Sequence, residues 1–303
     1  MIDILLATYN GEKYIKSQIY SLLSQTYHNW RLVIHDDGST DATIAIIKEF
    51  QQIDNRIILV EDGITIGNAG GNFLHLLQQD SPADFFIFCD QDDIWFENKL
   101  EELINSFIDT KPQAVFCNGY GYSTEHGIVT NKITEIYPKK LKEQLFLNAG
   151  IQGCSLMFNK ALKDMMFVLP SNQAMHDHFV TLFAITFGEL IYLPKNLMLY
   201  RQFHEGKTTA NITTDKRIRF LSIFKREIPV VDYKHYLGTR SFYDIYENKL
   251  DEIQKKLFLA YFNYVESKTL LERIKIIVNY RFTIYGNIFP LILKTIMRKT
   301  INK

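Results

Sequence analysis

The stretch Phe85–Trp95 reads FFIFCDQDDIW, and it carries the strongest structural signal in the chain. Its first five residues form a continuous apolar run, which is typical of a strand buried on both faces. Three carboxylates then follow within four residues, from Asp90, Asp92 and Asp93. Carboxylates this close repel one another unless a cation or a hydrogen-bonding shell compensates them. The stretch therefore predicts a strand ending in a divalent-metal site that holds a phosphate, or else in an Asp-rich turn that caps the next helix.

Strand-like and helix-like patterns alternate through the first half of the chain, which predicts βαβ units in a mostly parallel sheet flanked by helices. The predicted strands are Ile2–Ala7, Arg31–His35, Arg56–Val60, Phe85–Cys89, Ala114–Asn118, Cys154–Phe158 and Leu190–Pro194. The predicted helices of this part include Glu12–Thr26, Asn72–Gln79, Glu97–Asp109 and His176–Phe187. Beyond Asp215 only helical patterns appear, over Arg217–Glu227, Tyr243–Tyr264 and Thr269–Tyr280. We therefore expect an α/β domain over residues 1–215 and a helical C-terminal region over 216–303.

Composition bounds the class of protein before any motif is used. The 303 residues are 47% apolar, as in an ordinary globular protein. Cys89, Cys117 and Cys154 fall in apolar runs without paired spacing, which predicts buried free thiols of a reducing compartment. The N-terminus lacks a basic region, and no apolar stretch approaches the roughly 18 residues of a membrane span, so we expect a cytoplasmic protein without a signal peptide.

Charge is unevenly distributed although the net charge is zero. Residues 216–303 contain 18 Lys and Arg against 8 Asp and Glu, a net +10 that the first 215 residues balance. Residues 268–303 contain 8 basic residues against Glu272 alone. This basic segment is also rich in apolar residues, so it predicts either peripheral attachment to an anionic membrane or a helical pair that packs on the α/β domain or forms a dimer. We expect no nucleic-acid partner.

Three of the predicted strands end in polar motifs, which read ATYN at 7–10, HDDGST at 35–40 and CDQDD at 89–93. Right-handed βαβ connections bring such strand ends to one edge of a sheet, where open α/β sheets bind ligands. The ring of Tyr9 either stacks on a base or covers the sheet edge. A carboxylate of Asp36 or Asp37 either accepts the N3–H of uracil or thymine or caps a turn. In combination, the three motifs predict a nucleotide crevice.

The segments ATYNGEKYI, SLLSQTY, DDGSTDATI and DQDDIW, in this order and spacing, resemble the N-terminal half of the family 2 inverting glycosyltransferases of the GT-A fold. The resemblance extends over about residues 1–210. Gln152–Asn159 is similar to the acceptor-side strand of that family, MHD at 175–177 to its catalytic-base motif, and YRQ at 200–202 to the segment before its metal-binding histidine. The combination of DQDDIW, MHD and YRQ is most similar to bacterial rhamnosyltransferases of surface-polysaccharide synthesis.

The resemblance implies a role for each matching residue. Asp92 and His204 would hold Mn²⁺ or Mg²⁺. Asp177 would be the general base that deprotonates the acceptor hydroxyl, and the alternative or additional role of Asp177 is to cap the helix His176–Phe187. Independently of the resemblance, His176 directly precedes this base, and a neighbouring cation would keep the base ionised. Residues on the acceptor side would be Trp95, Gly153 and His176, with Trp95 either stacking on a sugar or packing against the next helix. Residues that contact the nucleotide sugar would be Ala7, Thr8, Tyr9, Glu12, Asp37, Asn72, Asp90 and Gln91.

The sequence departs from the family pattern at the metal-binding histidine. The family reads YRQH, whereas Phe203 here separates Gln202 from His204. A one-residue bulge would restore the geometry; otherwise the metal rests on Asp92, phosphates and water. The remaining histidines with no partner pattern are interpreted as structural or surface residues, and these are His28, His35, His75 and His235.

The resemblance implies metal-dependent inverting transfer of a sugar to a hydroxyl of a lipid-linked or growing surface polysaccharide. The expected donor is dTDP-L-rhamnose, and the alternative is a UDP-hexose or UDP-N-acetylhexosamine. A catalytically silent nucleotide-sugar-binding protein is a rival interpretation, against which the presence of both Asp92 and Asp177 argues. A nucleotidyltransferase is a second rival, but it would need a Gly-rich, basic phosphate loop that ATYNGEKY does not provide.

Overall fold

The computed structural model describes residues 1–147, 151–169, 175–202 and 224–301. The chain forms two compact units. The first contains 1–134, 151–167 and the described part of 188–212, and the second contains the described parts of 135–150, 168–187 and 213–303. Residues 176–187, which the sequence places with the α/β domain, thus belong to the second unit. The predicted helix Arg217–Glu227 lies mostly outside the described residues.

A sheet of nine strands, counted over the described residues, forms the centre of the first unit. The strands are β1 Ile2–Thr8, β2 Trp30–Asp36, β3 Ile57–Leu59, β4 Phe85–Cys89, β5 Ile94–Trp95, β6 Gln113–Ser123, β7 Gly127–Thr130, β8 Leu156–Asn159 and β9 Glu189–Arg201. Their spatial order is β3-β2-β1-β4-β8-β6-β9-β5, and β7 pairs with β6. The first four strands in this order are parallel, as predicted, whereas β8 runs antiparallel between β4 and β6. The sheet as a whole is therefore mixed.

The helices that flank this sheet bury one apolar face each. The first unit contains α1 Ile15–Leu23, α2 Thr43–Ile53, α3 Ala69–Gln78, α4 Lys99–Ile104 and α6 Lys160–Met165. On α1, the residues Ile15, Ile19 and Leu22 are fully buried, as their helical spacing predicts. The α3 helix begins where the Asn68 side chain accepts the N–H of Gly71 at 2.7 Å. These helices position the loops that follow the strands.

Strands β6 and β9 are longer than the sequence predicts. They pair in parallel from Gln113 and Glu189 as far as Tyr122 and Arg201. The apolar run of β6 is interrupted at Asn118, whose Oδ1 accepts the N–H groups of Ile133 (2.8 Å) and Thr134 (3.1 Å). Because the hydrogen bonds of this buried side chain are satisfied, the strand continues beyond the residue at which the apolar pattern ends.

The second unit is helical and packs around aromatic rings. Its helices are α5 Leu141–Gln144, α7 His176–Phe187, α8 Tyr233–Tyr246, α9 Glu252–Glu266, α10 Leu270–Tyr280 and α11 Phe289–Met297. The ring of Phe183 lies edge-on to Phe242 and Tyr246, with centroids 5.0 Å and 4.7 Å away. The predicted single helix Tyr243–Tyr264 is two helices, because Asp251 forms a capping box with Gln254 that starts α9. Over the described part of the chain, every helix is too short or too polar to cross a membrane.

Candidate active site

The loops that follow β1, β2 and β4 lie side by side at one edge of the sheet. Strand β1 pairs in parallel with β2 on one side and with β4 on the other. Thr8 is aligned with Asp36, and Leu6 is aligned with Cys89. Because the three strands run in the same direction, the motifs ATYN, HDDGST and CDQDD all begin at this edge.

Gln91 joins the first of these loops to the third. Its Oε1 accepts the N–H of Tyr9, and its Nε2 donates to the carbonyl of Tyr9, both at 3.0 Å. A Cβ on residue 11 would lie 2.3 Å from Gln91 Oε1, so this pairing requires the glycine at position 11. The side chain of Tyr9 remains 57% exposed. Gln91, which was predicted to contact the donor, thus holds the backbone of the tyrosine that was predicted to stack on the base.

Asn10 and Glu12 join the first loop to the second. Asn10 has a φ of 46°, a left-handed conformation that asparagine tolerates. Its N–H donates to Ser39 Oγ at 2.8 Å, and its Oδ1 accepts the N–H of Thr40 at 2.9 Å. Glu12 Oε2 accepts the N–H of Ala42 at 2.9 Å. Glu12, also predicted to contact the donor, therefore satisfies a backbone donor next to the start of α2.

The carboxylates of Asp36 and Asp37 organise the second loop. Asp36 Oδ2 accepts the hydroxyl of Thr8 at 2.7 Å. Asp37 is 7% exposed, and its carboxylate accepts the N–H groups of Ile66 and Gly67, the latter at 2.9 Å and 3.0 Å. A carboxylate offers about four acceptor positions, so these contacts leave capacity for one more donor. The predicted role of Asp37 in reading a base edge is compatible with this geometry.

The acidic residues after β4 differ in burial. Asp90 and Asp92 are partly exposed, whereas Asp93 is 1% exposed and its Oδ1 accepts the N–H of Arg201 at 2.9 Å. Burial, followed by the charges of Asp92 and Asp90, raises the pKa of Asp93 well above its usual range. One ligand atom from each of Asp90, Asp93 and Cys154 lies within 4.8 Å of the others. Cys154 is a buried thiol, so the partly exposed carboxylates of Asp90 and Asp92 are the groups of this segment that fit a hard divalent cation, which prefers oxygen ligands.

Arg201 connects this acidic segment to the end of β9. Its Nε donates to the carbonyl of Asp92 at 2.7 Å, and its Nη1 donates to Thr124 Oγ1 at 2.6 Å. The guanidinium lies over the rings of Tyr14 and Tyr122, 4.5 Å and 5.2 Å from their centroids. Sequence reasoning used the motif YRQ only as a marker of position and missed these contacts. The signal available was an arginine at the end of a strand, beside a motif that already pointed to the metal.

Burial corrects two predicted ligand contacts. Trp95 is 2% exposed and its ring centroid lies 3.5 Å from Lys99 Nζ, so it packs against α4, which was the alternative to stacking on a sugar. Asn72 is 2% exposed, and its side-chain amide binds both Nδ1 and the carbonyl of His35, at 2.6 Å and 3.2 Å. With both ends of its amide bound to His35, Asn72 contacts His35 rather than the donor.

Four further predicted residues stay predictions. His204 lies outside the described residues, together with the Phe203 that precedes it. Gly153 is buried in a short turn just before β8. Ala7 is half-buried and Thr8 is buried at the end of β1, where only their backbone is available to a nucleotide.

Asp177 lies in the first turn of α7, in the second unit. It is half-buried, and its Oδ1 accepts the N–H of His178 at 2.6 Å. The preceding His176 is 3% exposed, and burial lowers its pKa to about 3, so its ring is neutral near pH 7. The prediction that His176 is a cation is therefore wrong, because a desolvated imidazole does not keep its proton. The helix N-terminus favours the negative charge of Asp177 instead.

Comparison with known proteins identifies the class. The family described as "Glycosyl transferase family 2" matches residues 3–166, more than half of the chain. S. aureus TarS 1-349 in complex with UDP-GlcNAc has a TM-score of 0.56 at 20% identity, covering 92% of this chain and 89% of that one. Mannosyltransferase PcManGT from Pyrobaculum calidifontis in complex with GDP-Man and Mn²⁺ has a TM-score of 0.54 at 13% identity, covering 97% and 86%. The chain belongs to glycosyl transferase family 2 and is a glycosyltransferase of the GT-A fold, which confirms the resemblance.

Individual relatives carry narrower names. The dTDP-rhamnosyl transferase RfbG of Shigella flexneri is 28% identical over 233 residues, which cover 73% of this chain and 80% of RfbG. The UDP-Glc:alpha-D-GlcNAc-diphosphoundecaprenol beta-1,3-glucosyltransferase WfgD of Escherichia coli is 32% identical over 163 residues, which cover 54% of this chain and 61% of WfgD. The donors in these two names differ, so family membership alone leaves the sugar open.

Proposed function

We propose that this glycosyltransferase is a metal-dependent inverting enzyme that moves a sugar from a nucleoside diphosphate to a hydroxyl of a surface-polysaccharide acceptor. The observation that supports this most is the convergence of three braced loops at one sheet edge. Tyr9 offers an exposed ring there, Asp37 a carboxylate with spare acceptor capacity, and Asp90 and Asp92 partly exposed carboxylates. A base, its polar edge and a metal-bound diphosphate need these three kinds of group.

The donor that we favour is dTDP-L-rhamnose. The relative named dTDP-rhamnosyl transferase aligns over 73% of this chain, whereas the relative named for UDP-Glc aligns over 54%. A UDP-hexose or UDP-N-acetylhexosamine is the second candidate, and the higher identity of the glucosyltransferase, 32% against 28%, favours it. Both donors carry a pyrimidine with an N3–H, which suits the acceptor role proposed for Asp37.

The acidic segment after β4 would hold Mn²⁺ or Mg²⁺. Asp92 is the proposed direct ligand, with His204 as a second, and Asp90 would bind the ribose or the donor sugar. Bound there, the ion would supply Lewis-acid stabilisation of the charge that develops on the leaving diphosphate. Asp93 fixes the segment to β9 through the N–H of Arg201.

Asp177 would act as the general base of a one-step displacement. The acceptor oxygen would attack the anomeric carbon while its proton passes to the Asp177 carboxylate, and the bond from that carbon to the diphosphate oxygen would break. Attack opposite the leaving group inverts the anomeric configuration, and no enzyme nucleophile is needed. The position of Asp177 at the start of α7 supports this role, because a helix N-terminus stabilises the ionised carboxylate.

The acceptor would be lipid-linked, and the C-terminal region would lie on an anionic membrane as a peripheral attachment of a cytoplasmic enzyme. Exposed basic side chains of this region are Lys268, Lys275, Arg281 and Lys299. Exposed apolar side chains among them are Leu270, Leu271, Val278, Tyr280, Tyr285, Phe289 and Ile296. Basic residues near apolar ones favour an anionic interface, while a homodimer contact is the alternative use of the same surface.

A thermal-shift panel tests the donor and the metal together. Full-length protein would be heated with dTDP-L-rhamnose, UDP-glucose, UDP-galactose or UDP-N-acetylglucosamine, each with Mn²⁺ or with EDTA. The true donor at a hundredfold excess over its Kd stabilises by about 2.7 kcal/mol. Stabilisation by a donor that persists fully in EDTA would contradict the metal requirement, and the absence of any shift across the panel would contradict the donor class.

Product analysis separates an enzyme from a silent binding protein. A silent protein would give the same thermal shift but would leave the donor intact in the presence of acceptor extracts. We expect release of the nucleoside diphosphate that depends on both acceptor and Mn²⁺. The NMR signal of the anomeric proton should show that the product has the anomeric configuration opposite to that of the donor.

A further inference from the structure

Two histidines that the sequence left without a role, on β2 and α3, lie around one carboxylate that does not belong to the acidic segment after β4. His35 is 1% exposed near the end of β2, and His75 lies on α3 with a side chain that is 17% exposed. Asp62, on the loop between β3 and α3, has a side chain that is 27% exposed. One ligand atom from each of the three residues lies within 4.8 Å of the others. These three residues are called the His–Asp–His cluster below.

The contacts within the cluster have nearly the dimensions of a metal site. Asp62 Oδ1 lies 3.3 Å from His35 Nε2, and Asp62 Oδ2 lies 2.6 Å from His75 Nε2. Tetrahedral zinc, with bonds of about 2.0–2.1 Å, separates its ligand atoms by about 3.3 Å. The first pair already has that separation, and the second needs an opening of about 0.7 Å at a partly exposed imidazole.

The proton of His35 is placed as a metal ligand requires. Asn72 Nδ2 donates to the His35 carbonyl at 3.2 Å, so the other atom of the amide, the acceptor Oδ1, faces His35 Nδ1 at 2.6 Å. Nδ1 therefore carries a hydrogen, and Nε2, which lies 3.3 Å from Asp62 Oδ1, is the ring nitrogen available to bind an ion. Histidines that bind metals usually donate their second ring N–H to such an acceptor, which fixes the tautomer and the ring orientation.

The carboxylate of the cluster is held in its ionised form. Asp62 Oδ1 accepts the N–H of Ile64 at 3.0 Å, and this bond, together with the two imidazoles, lowers the pKa of Asp62 to about 2. Two imidazole nitrogens and one carboxylate oxygen, with one side open to solvent, form a set that suits Zn²⁺ and its neighbours in the first transition row.

We propose that the His–Asp–His cluster is a second metal site, which binds Zn²⁺ through His35 Nε2, His75 Nε2 and a carboxylate oxygen of Asp62. The site is separate from the one proposed at Asp92, since its three ligands lie on β2, on the loop after β3 and on α3, and none of them belongs to the acidic segment after β4. Binding replaces the contact of His75 Nε2 with Asp62 by a bond to the ion, and the ring then carries its hydrogen on Nδ1 and stays neutral.

The ion would fix the loop between β3 and α3. Asp62 is near the start of this loop, and the N–H groups of Ile66 and Gly67 further along it bind Asp37. The same loop is thus held by the cluster at one point and by the proposed base-reading residue at another. A metal at the cluster would reduce the freedom of the segment that positions Asp37.

Direct metal binding by the full-length chain tests this site without reference to activity. Apo protein carrying Asp92→Ala, which removes the other proposed ligand, would be titrated with ZnCl₂ by calorimetry and with CoCl₂ by visible absorption. We expect one equivalent of each ion per chain and the intense d–d bands of four-coordinate cobalt. Adding His75→Gln should abolish the bands and weaken Zn²⁺ binding at least a hundredfold, and Asn72→Ala should weaken it about 10–100-fold.

Two control variants distinguish loss of the metal site from loss of an unrelated histidine and from unfolding. His126→Gln, at an exposed histidine on the turn before β7, should bind Zn²⁺ as the parent does. Asp62→Asn, at a partly exposed position, repeats the loss if His75→Gln proves unstable, and circular dichroism of the apo proteins checks their folding. The site is overturned if the Asp92→Ala protein binds no stoichiometric Zn²⁺, or if folded His75→Gln and Asp62→Asn proteins bind it as tightly as their parent.

Discussion

The sheet edge of the first unit and the first turn of α7 in the second carry the two halves of the proposed reaction, and they are built differently. At the sheet edge, loops from distant parts of the sequence are joined by polar contacts, as between Gln91 and Tyr9. Helix α7 is instead buried on most sides, with Phe179 and Phe183 inside an aromatic core. The proposed donor site therefore leaves long motifs in the sequence, because the motif residues contact one another. The proposed base, on a buried helix, leaves only the three letters MHD.

The largest effect should come from a substitution in the first turn of α7. Asp177→Asn removes the proposed proton acceptor but keeps the shape of the side chain, so transfer should fall about 10²–10⁴-fold. The donor Kd, measured by calorimetry with Mn²⁺, should stay within twofold, because Asp177 is not among the residues proposed to bind the donor. Asp244→Asn on the exposed face of α8 is the control and should retain full activity. Full transfer by the Asp177→Asn protein would remove the base assignment.

The second effect concerns acid stability of the helical unit. The pKa of His176 falls from near 6.5 in the unfolded chain to about 3 in the folded one. Between these values only the unfolded chain binds the proton, so the free energy of unfolding should fall by about 1.4 kcal/mol per pH unit as pH drops below 6.5. Burial and the neighbouring His235 also lower the pKa of His178, which adds to this slope.

Urea unfolding between pH 7 and pH 5 measures the slope. His176→Gln should flatten it by about 1.4 kcal/mol per pH unit, because glutamine binds no proton. His126→Gln, at an exposed position, should leave the slope as in the wild type. Parallel curves for the wild type and His176→Gln would show that His176 is protonated in the folded state.

The third prediction concerns the hydrogen bonds that join the loops at the sheet edge, and it tests whether donor binding needs them. Gly11→Ala places a methyl group against Gln91 and should break its two bonds to Tyr9, so the donor Kd should rise about tenfold, about 1.4 kcal/mol. In a Gln91→Ala background, the same substitution should change the donor Kd less than twofold, because no Gln91 side chain remains to clash with the added methyl group. Additive effects of the two substitutions would show that the two loops bind the donor independently.

The smallest effect concerns the basic C-terminal region. Tyr264 and Thr295 share a buried hydrogen bond of 2.8 Å between α9 and α11, so a truncation near residue 265 would disturb the fold as well as the surface. Lys275→Ser on α10 is the milder change and should weaken binding to anionic liposomes about fivefold, about 1 kcal/mol. Lys256→Ser on α9, also exposed, is the control. Equal sedimentation of the wild type and Lys275→Ser would exclude a contribution of Lys275 to membrane binding.

The sequence predicts the parallel half of the sheet well, because each of its strands is a continuous apolar run between amphipathic helices. It does not predict β5, since two residues are too few to form a pattern, or the extension of β6 past Asn118, whose partners are distant in sequence. The burial of individual side chains is harder to predict from the sequence than the strands are. Trp95 is two residues from Asp93, and His176 directly precedes Asp177. Both are buried, and their neighbours in the sequence alone do not reveal it.

The positions of tryptophan and cysteine allow the folding of the first unit to be measured separately. Both tryptophans, Trp30 and Trp95, and all three cysteines belong to this unit, and each is at most 2% exposed. Tryptophan emission and the reactivity of the thiols toward alkylating reagents therefore follow the opening of the sheet, while the helical unit contributes only tyrosine signals. If the helical unit melts alone in acid, circular dichroism will change while the emission maximum and the rate of thiol labelling stay fixed.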